Sequence, residues 1–277
     1  MVDGDWLEAR LGDPSLVLLE VSFYPPAKAS YFDGHAPGAH FVPWKEFCWH
    51  DAEREFAGPE LMAERLSAYG ASDESTVVLI GDTIQFATYA YWTIAMAGLE
   101  HLVTILDGGS QHWTETGRPL TTELPPVPST GSVTPGRADQ SSRVGRDDVL
   151  AHLDDPARVL IDVRSPEEYS GERVSPASSP FDHGAERTGR IPGAKHLYFL
   201  DRLLNEDGTF RTPEQTVAEF DREGATADKE VVTYCRLSHR ASLAWFAMTR
   251  LADRPNVKVY DGSWTEWGTI VGFPIEK

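Results

Sequence analysis

The chain repeats several short motifs at a spacing that matches the size of a whole domain. The hexapeptide GHAPGA at 34–39 returns as GRIPGA at 189–194, and the order of the repeated motifs is kept along the chain. The other pairs are VV at 77–78 and 231–232, DGG at 107–109 and DGS at 261–263, and Trp113 and Trp267. A spacing of 154 or 155 residues indicates that a whole globular unit is duplicated, and it excludes a solenoid of short repeats. The 277 residues therefore predict two similar domains, each long enough to bury its own core.

A segment with little hydrophobic periodicity lies between the two copies. Residues 119–142 contain several prolines and the run STGS, a composition that is typical of a linker. We therefore expect an N-terminal domain at 1–118, a linker at 119–142 and a C-terminal domain at 143–277.

Apolar, β-branched runs alternate with helical patterns within each copy. In the second copy the runs are VLIDV at 159–163, VVTY at 231–234 and VKVY at 257–260. This alternation predicts an α/β fold in which each domain is a parallel sheet flanked by helices. The sequence SPEE at 165–168 has Ser at the N-cap, Pro at N1 and Glu at N3, which predicts a short helix directly after the first run. Ligands of such sheets bind at the carboxyl ends of the strands, so the residues that follow each strand are the functional candidates.

The composition disfavours several classes of function. Forty-three acidic residues against 25 basic ones give a net charge of −18, which repels nucleic-acid backbones and anionic membrane surfaces. Apolar runs such as VVLI at 77–80 are far shorter than the ~18 residues that span a membrane. The N-terminal residues MVDGD lack the basic and apolar regions of a signal peptide, so we expect a cytoplasmic protein. Because nothing in the composition indicates an obligate oligomer, we also expect a monomer.

The two cysteines differ in their surroundings. Cys48 and His50 supply only two of the four ligands that a structural zinc needs, so we predict no metal site and no cofactor. Cys235 follows the run VVTY and precedes the helical stretch ASLAWFAM at 241–248, which places it at a strand-to-helix turn. Backbone N–H groups and a helix N-terminus at such a turn favour a thiolate.

The residues that follow Cys235 are cationic. Arg236, His239 and Arg240 all lie within five positions of the thiol. Positive charge would be costly around an inert buried thiol, whereas it suits a thiolate that receives an anionic substrate. Cys235 is therefore the predicted nucleophile.

The first copy lacks these chemical groups. Gly81 stands where the second copy has Cys235, and Asp82 stands in place of Arg236. We therefore expect the N-terminal domain to be catalytically silent. Its predicted role is to cover the catalytic domain and to form one wall of a cleft.

The whole chain resembles a two-domain rhodanese, a thiosulfate sulfurtransferase with a silent N-terminal domain. The motifs that carry the resemblance are DVR at 162–164, GRIPGA at 189–194, CRLSHR at 235–240 and DGSW at 261–264. The resemblance implies a persulfide cycle. The Cys235 thiolate attacks the outer sulfur of thiosulfate, sulfite leaves, and the bound sulfur then passes to cyanide, to a small thiol or to a protein acceptor.

The resemblance also implies the substrate-binding residues. Arg236 and Arg240 would stabilise the thiolate and bind the sulfonate, and Arg187 matches the place of a substrate-binding arginine in similar enzymes. The next three residues would complete the loop, with backbone N–H groups aimed at the sulfur and a serine hydroxyl beside them. The predicted substrate-binding set is Arg187, Arg236, Leu237, Ser238, His239 and Arg240. His239 fits a solvated loop residue equally well.

Several nearby residues are predicted to be structural. Arg164 and Glu168, four positions apart around a helix start, are expected to form an ion pair. Asp162 is expected to be structural as well. Trp264 and Trp267 are expected to pack in the core, and the glycines of GRIPGA to shape a turn.

Three alternatives stay open at different strengths. A 3-mercaptopyruvate sulfurtransferase shares this architecture, but its loop is typically less cationic than CRLSHR. A persulfide carrier that delivers sulfur to a partner protein would use the same thiol. A related thiolate phosphatase is disfavoured, because the loop from Cys235 to Arg240 is one residue shorter than such enzymes use.

Arg190 and the LSH of the loop depart from the common rhodanese pattern, and Ser22 replaces the arginine of DVR in the first copy.

Overall fold

The computed structural model describes residues 1–23, 30–179 and 181–277. They divide into two compact units, one formed by residues 1–140 with 206–209 and one by 141–205 with 210–277. Residues 119–140, most of the segment predicted as a linker, lie in the first unit. The amide of Val133 donates to Ser67 Oγ at 2.9 Å, and the amide of Asp139 donates to the carbonyl of Met96 at 2.8 Å.

The first unit has a four-stranded sheet in the order β2-β1-β3-β4, with every pair parallel. Its strands are β1 (Leu16–Ser22), β2 (Ala39–Pro43), β3 (Thr76–Gly81) and β4 (Val103–Ile105). Its helices are α1 (Gly4–Glu8), α2 (Trp44–Cys48), α3 (Pro59–Ala68), α4 (Ile84–Met96) and α5 (Gly109–Glu115).

The second unit has a five-stranded sheet in the order β5-β9-β8-β6-β7, also parallel throughout. Its strands are β5 (Arg143–Val144), β6 (Arg158–Asp162), β7 (Lys195–His196), β8 (Glu230–Tyr234) and β9 (Val257–Tyr260). Its helices are α6 (Arg146–Ala151), α7 (Pro166–Ser170), α8 (Phe199–Leu203), α9 (Pro213–Arg222), α10 (His239–Phe246) and α11 (Ser263–Trp267). The predicted fold class, two domains with parallel sheets flanked by helices, is confirmed. Within the described residues, no helix is long and apolar enough to cross a membrane.

Helix α7 begins with the predicted capping box. Ser165 Oγ accepts from the amide of Glu168, and the Glu168 carboxylate accepts from the amide of Ser165 at 3.1 Å. Pro166 occupies the first helical position, where its missing N–H costs nothing. The local signal in SPEE therefore set the start of this helix correctly.

The core of the second unit contains the two predicted tryptophans. Trp264 and Trp267 are fully buried in an apolar cluster that includes Val232 and Ile191. Their indole N–H groups donate to main-chain carbonyls, that of Trp264 to Arg187 at 2.9 Å. Both tryptophans are packing residues, as predicted, because their polar atoms are satisfied by the chain itself.

Candidate active site

Cys235 lies directly after β8 at the carboxyl end of the sheet, three residues before the N-cap of α10. This is the strand-to-helix turn that the sequence predicts. The side chain is 1% exposed. Within the turn from Cys235 to Arg240, Ser238 is the N-cap of α10, and its backbone has φ 70° and ψ −20°.

A second segment, residues 261–265, holds the main chain of the turn. The carbonyl of Cys235 accepts from the amide of Trp264 at 2.9 Å, and the carbonyl of Arg236 accepts from the amide and the hydroxyl of Thr265. The amide of Cys235 donates to Ser263 Oγ at 3.2 Å. The nucleophile is therefore fixed through its backbone.

Ser238 faces this second segment. Its buried hydroxyl donates to the main-chain carbonyl of Asp261 and lies 3.0 Å from Asp261 Oδ1. Asp261 Oδ2 in turn accepts from Arg143 at 3.1 Å. The expectation that this hydroxyl serves the sulfur or the substrate is not supported, because it is committed to Asp261.

Arg240 forms a buried ion pair with Glu168. The guanidinium donates to both carboxylate oxygens, at 2.6 and 2.9 Å. Burial opposes the charge of Arg240, but the hydrogen bonds and the charge of Glu168 outweigh burial and raise the pKa of the guanidinium. With both terminal nitrogens held by Glu168, the predicted role of Arg240 in binding the sulfonate is weakened.

The predicted ion pair between Arg164 and Glu168 is wrong. The partner of Arg164 is Asp162, which accepts from Nε at 3.0 Å and from Nη2 at 2.6 Å. Both side chains are fully buried, which agrees with a structural role for Asp162. The spacing of four residues predicts a contact only when both residues lie in one helix. Arg164 precedes α7, and its side chain contacts Asp162 at the end of β6.

Arg236 is the loop arginine that forms no ion pair with a carboxylate within the described ranges 1–23, 30–179 and 181–277. Its side chain is partly exposed, and Nη1 donates to the carbonyl of His183 at 3.4 Å. Burial lowers the pKa of this guanidinium, and the neighbouring Arg240 lowers it further, while Cys235 and Glu168 act in the opposite sense. Arg236 directly follows Cys235 along the chain.

Arg187 is engaged by the C-terminal part of the chain. Its nitrogens donate to four main-chain carbonyls at 2.8 to 3.0 Å, those of Trp267, Gly268, Ile270 and Phe273. The predicted substrate-binding role is not supported by this geometry, because every nitrogen of the guanidinium already serves the chain. Arg187 instead ties residues 267–273 to the segment before GRIPGA.

Leu237 and His239 complete the loop and are partly exposed. His239 is the first residue of α10, and its carbonyl accepts from Ser242 Oγ at 2.8 Å. Their predicted contact with substrate stays a prediction.

The corresponding place in the first unit has opposite charge. Asp82 follows β3, and its carboxylate accepts from Ser22 at 2.9 Å and from Ser30 at 2.7 Å. Glu20 on β1 is fully buried, and neither of its carboxylate oxygens has a hydrogen-bond partner among the residues that the structure describes. Burial and the charge of Asp82 raise the pKa of Glu20 to about 8. This place holds neither a thiol nor a cationic loop, and the catalytic silence of the first domain stays a prediction.

Sequence reasoning missed the residues that support the loop. Glu168 was predicted as a helix cap and as the partner of Arg164, whereas its carboxylate binds Arg240, 72 positions further along the chain. Ser263 and Thr265 were not singled out for the loop at all. The DGS repeat and the family motif DGSW pointed to this segment, but neither carries information on which atoms Ser263 would contact.

Comparison with known proteins agrees with this architecture. The family model of the rhodanese-like domain matches twice, at residues 3–116 and 146–269. The chain is 42% identical over 281 residues to the "Sulfur carrier protein TtuD" of Thermus thermophilus, covering 100% of this chain and 96% of that protein. It is 39% identical over 277 residues to the "Putative thiosulfate sulfurtransferase" of Mycobacterium tuberculosis, covering 100% of this chain and 97% of that protein.

A solved structure is also similar. The anaerobic ergothioneine biosynthesis enzyme from Chlorobium limicola, in complex with trimethyl histidine, matches with a TM-score of 0.77 and 27% identity. The match covers 94% of this chain and 64% of that enzyme.

The fold places a cysteine at the carboxyl end of a parallel sheet, directly before a helix, where ligands of such sheets bind. With the family model matching both halves, the chain belongs to the rhodanese family, in its form with two tandem domains. It is therefore a member of a sulfurtransferase family.

Proposed function

We propose that the protein takes the outer sulfur of thiosulfate onto Cys235 and passes it to cyanide or to a thiol. The observation that carries this proposal is the pairing of Cys235 with Arg236 at the start of α10. Here a buried nucleophile is followed directly by an arginine that forms no ion pair with a carboxylate in the described part of the chain. The turn leads into the N-terminus of α10, and a helix N-terminus carries partial positive charge.

The reaction proceeds in two displacements. The Cys235 thiolate attacks the outer sulfur of thiosulfate, the sulfur–sulfur bond breaks, and its electron pair leaves with sulfite. Cyanide or a thiolate then attacks the outer sulfur of the persulfide, forming thiocyanate or a new persulfide and returning Cys235 to its thiolate. No outside oxidant or reductant is consumed.

The residues of the turn divide into two roles. Arg236 carries the charge that attracts the sulfonate and stabilises the departing sulfite, since its forked donors suit a multi-oxygen anion. Arg240 fixes the end of the turn through Glu168. Of the two loop arginines, Arg236 is therefore the one that supports thiosulfate over 3-mercaptopyruvate, because Arg240 is paired with Glu168.

A relative with 42% identity that is named a sulfur carrier favours a second candidate, a persulfide carrier. With its side chain 1% exposed, Cys235 would hold a sulfur that is shielded from bulk solution until an acceptor reaches the turn. In this reading the acceptor is the thiol of a partner protein, and turnover with small acceptors is slow.

Steady-state sulfur transfer to cyanide separates these proposals when thiosulfate and 3-mercaptopyruvate are compared side by side. We expect a preference for thiosulfate that Cys235→Ser abolishes and that the matched control Cys48→Ser retains. A preference for mercaptopyruvate would overturn the donor assignment and keep the nucleophile. One sulfur loaded per chain, with little turnover to cyanide, would favour the carrier.

A further inference from the structure

We infer that Ser238 is a positioning residue of the turn from Cys235 to Arg240. It holds a left-handed backbone conformation through its hydrogen bonds to Asp261, and this conformation sets the orientation of the nucleophile. The inference rests on the proposed function of Cys235, although its test has a readout that does not require sulfur transfer.

Ser238 has an unusual backbone conformation. Its φ of 70° is positive, and among the described residues only Asp253 and Ser263 share this property without being glycine. A side chain on Cβ disfavours this region of φ and ψ, and such strain persists only where surrounding contacts enforce it. The turn therefore needs something to hold Ser238.

The contacts of Ser238 supply that restraint. Its hydroxyl is fully buried and faces two oxygens of Asp261, the main-chain carbonyl and Oδ1. Asp261 is itself buried, and its other carboxylate oxygen accepts from Arg143 at 3.1 Å. Ser238 is therefore bonded to Asp261, and the side chain of Asp261 is in turn fixed by Arg143 on β5.

The conformation of Ser238 bears on both sides of the turn. Its carbonyl accepts from the amide of Ser242 at 2.8 Å, which begins the hydrogen bonding of α10. On the other side, Ser263, two residues beyond Asp261, accepts from the amide of Cys235. One short segment thus holds the turn at both Cys235 and Ser238. A change at Ser238 would alter the path of the chain between the thiol and the helix.

Two substitutions that both remove the hydroxyl should have different effects on the turn. Ser238→Ala keeps Cβ and loses the restraint, so the turn should relax away from the left-handed conformation. Ser238→Gly also loses the restraint, but glycine adopts a positive φ without steric cost. A conformational role predicts that glycine rescues what alanine impairs, whereas a chemical role for the hydroxyl predicts equal losses.

The first readout is the rate at which iodoacetamide alkylates Cys235, measured in a Cys48→Ser background so that a single thiol reacts. The second is kcat/KM for sulfur transfer from thiosulfate to cyanide. We expect Ser238→Ala to change the alkylation rate and to lower kcat/KM by ~5-fold or more, because positioning of the thiol is lost. We expect both quantities for Ser238→Gly to stay within ~2-fold of the parent, because glycine restores the conformation. Ser242→Ala is the matched control, since it removes a nearby buried hydroxyl that donates to the carbonyl of His239 within α10 and not to Asp261.

Two results would overturn the inference. One is a Ser238→Ala protein that alkylates and turns over like Ser242→Ala. The other is a Ser238→Gly protein that is clearly slower than the parent in sulfur transfer and altered in alkylation rate. Because this comparison is with the parent, it remains decisive even if the alanine variant does not fold. If alkylation follows the expected order but the parent transfers no sulfur from thiosulfate, the positioning role stands and the proposed function fails.

Discussion

Arg240 and Glu168 join the end of the reactive turn to the first turn of α7 through two hydrogen bonds of 2.6 and 2.9 Å. Both side chains are buried, and the same carboxylate caps α7 by accepting from the amide of Ser165. One acidic side chain therefore fixes a helix start and the loop that follows the nucleophile. The stability of this region and the geometry of the turn are coupled through Glu168.

Glu168→Gln should destabilise the protein strongly. The substitution leaves the guanidinium of Arg240 buried without its counter-charge, and breaking a buried pair costs about 3–5 kcal/mol. Thermal or denaturant unfolding measures the loss. Glu167→Gln, at a partly exposed neighbour in the same helix, is the control and should change stability little. Equal stability of the two variants would contradict the role of the pair.

Arg236→Ala should impair the use of thiosulfate and leave folding intact. A charge-assisted hydrogen bond contributes about 1.5–3 kcal/mol, so kcat/KM should fall by roughly 10- to 100-fold. Arg236→Lys retains the charge but not the fork, and it should fall between the parent and the alanine variant. Unchanged kinetics in Arg236→Ala, measured at low ionic strength, would sink the assignment of Arg236 as the donor-binding cation.

Arg187→Lys should lower the melting temperature, because a lysine cannot replace the set of bonds that the guanidinium makes to four carbonyls. KM for thiosulfate should stay close to that of the parent. Thermal unfolding and steady-state kinetics of the same variant test whether Arg187 affects stability and not the binding of thiosulfate. A large rise in KM without loss of stability would restore the substrate-binding role that the sequence predicts.

Glu20 should make the first unit less stable as the pH rises. Its pKa is about 8 in the folded chain, against an ordinary value of 4.5, because it is buried beside Asp82. Below pH 4.5 the carboxyl is protonated in both states. Between pH 4.5 and 8 the unfolded chain alone releases the proton, so the free energy of unfolding falls by about 1.4 kcal/mol per pH unit.

Glu20→Gln tests this pH dependence because it removes the ionisable group and keeps the size of the side chain. The variant should gain more stability relative to the parent at pH 8 than at pH 5, as measured by chemical denaturation at both values. The same difference at both pH values would show that Glu20 does not titrate in this way.

The sequence was sufficient where the determining signal is local. The strand-to-helix turn at Cys235, the capping box at Ser165 and the parallel sheets all follow from patterns within a few residues. Hydrogen-bond partners far apart in the chain could not be assigned in this way. Charge and spacing suggested that Arg240 would bind substrate, whereas its partner Glu168 lies 72 positions earlier.

The same limit applies to the direction of side chains. A hydroxyl near a predicted thiolate suggests a contact with the sulfur. In the structure Ser238 has a left-handed backbone, and its hydroxyl is bonded to Asp261 instead. Arg187 was assigned from its place beside a family motif. Its actual acceptors are main-chain carbonyls, which carry no residue-specific signal in a sequence.

Mass spectrometry of the intact protein after incubation with one equivalent of thiosulfate tests the central claim, that Cys235 carries the transferred sulfur. We expect one added sulfur atom per chain, mapped by peptide analysis to Cys235, removed by cyanide as thiocyanate and retained in Cys48→Ser. A chain that gains no sulfur, or a Cys235→Ser variant that still gains it, would contradict the account.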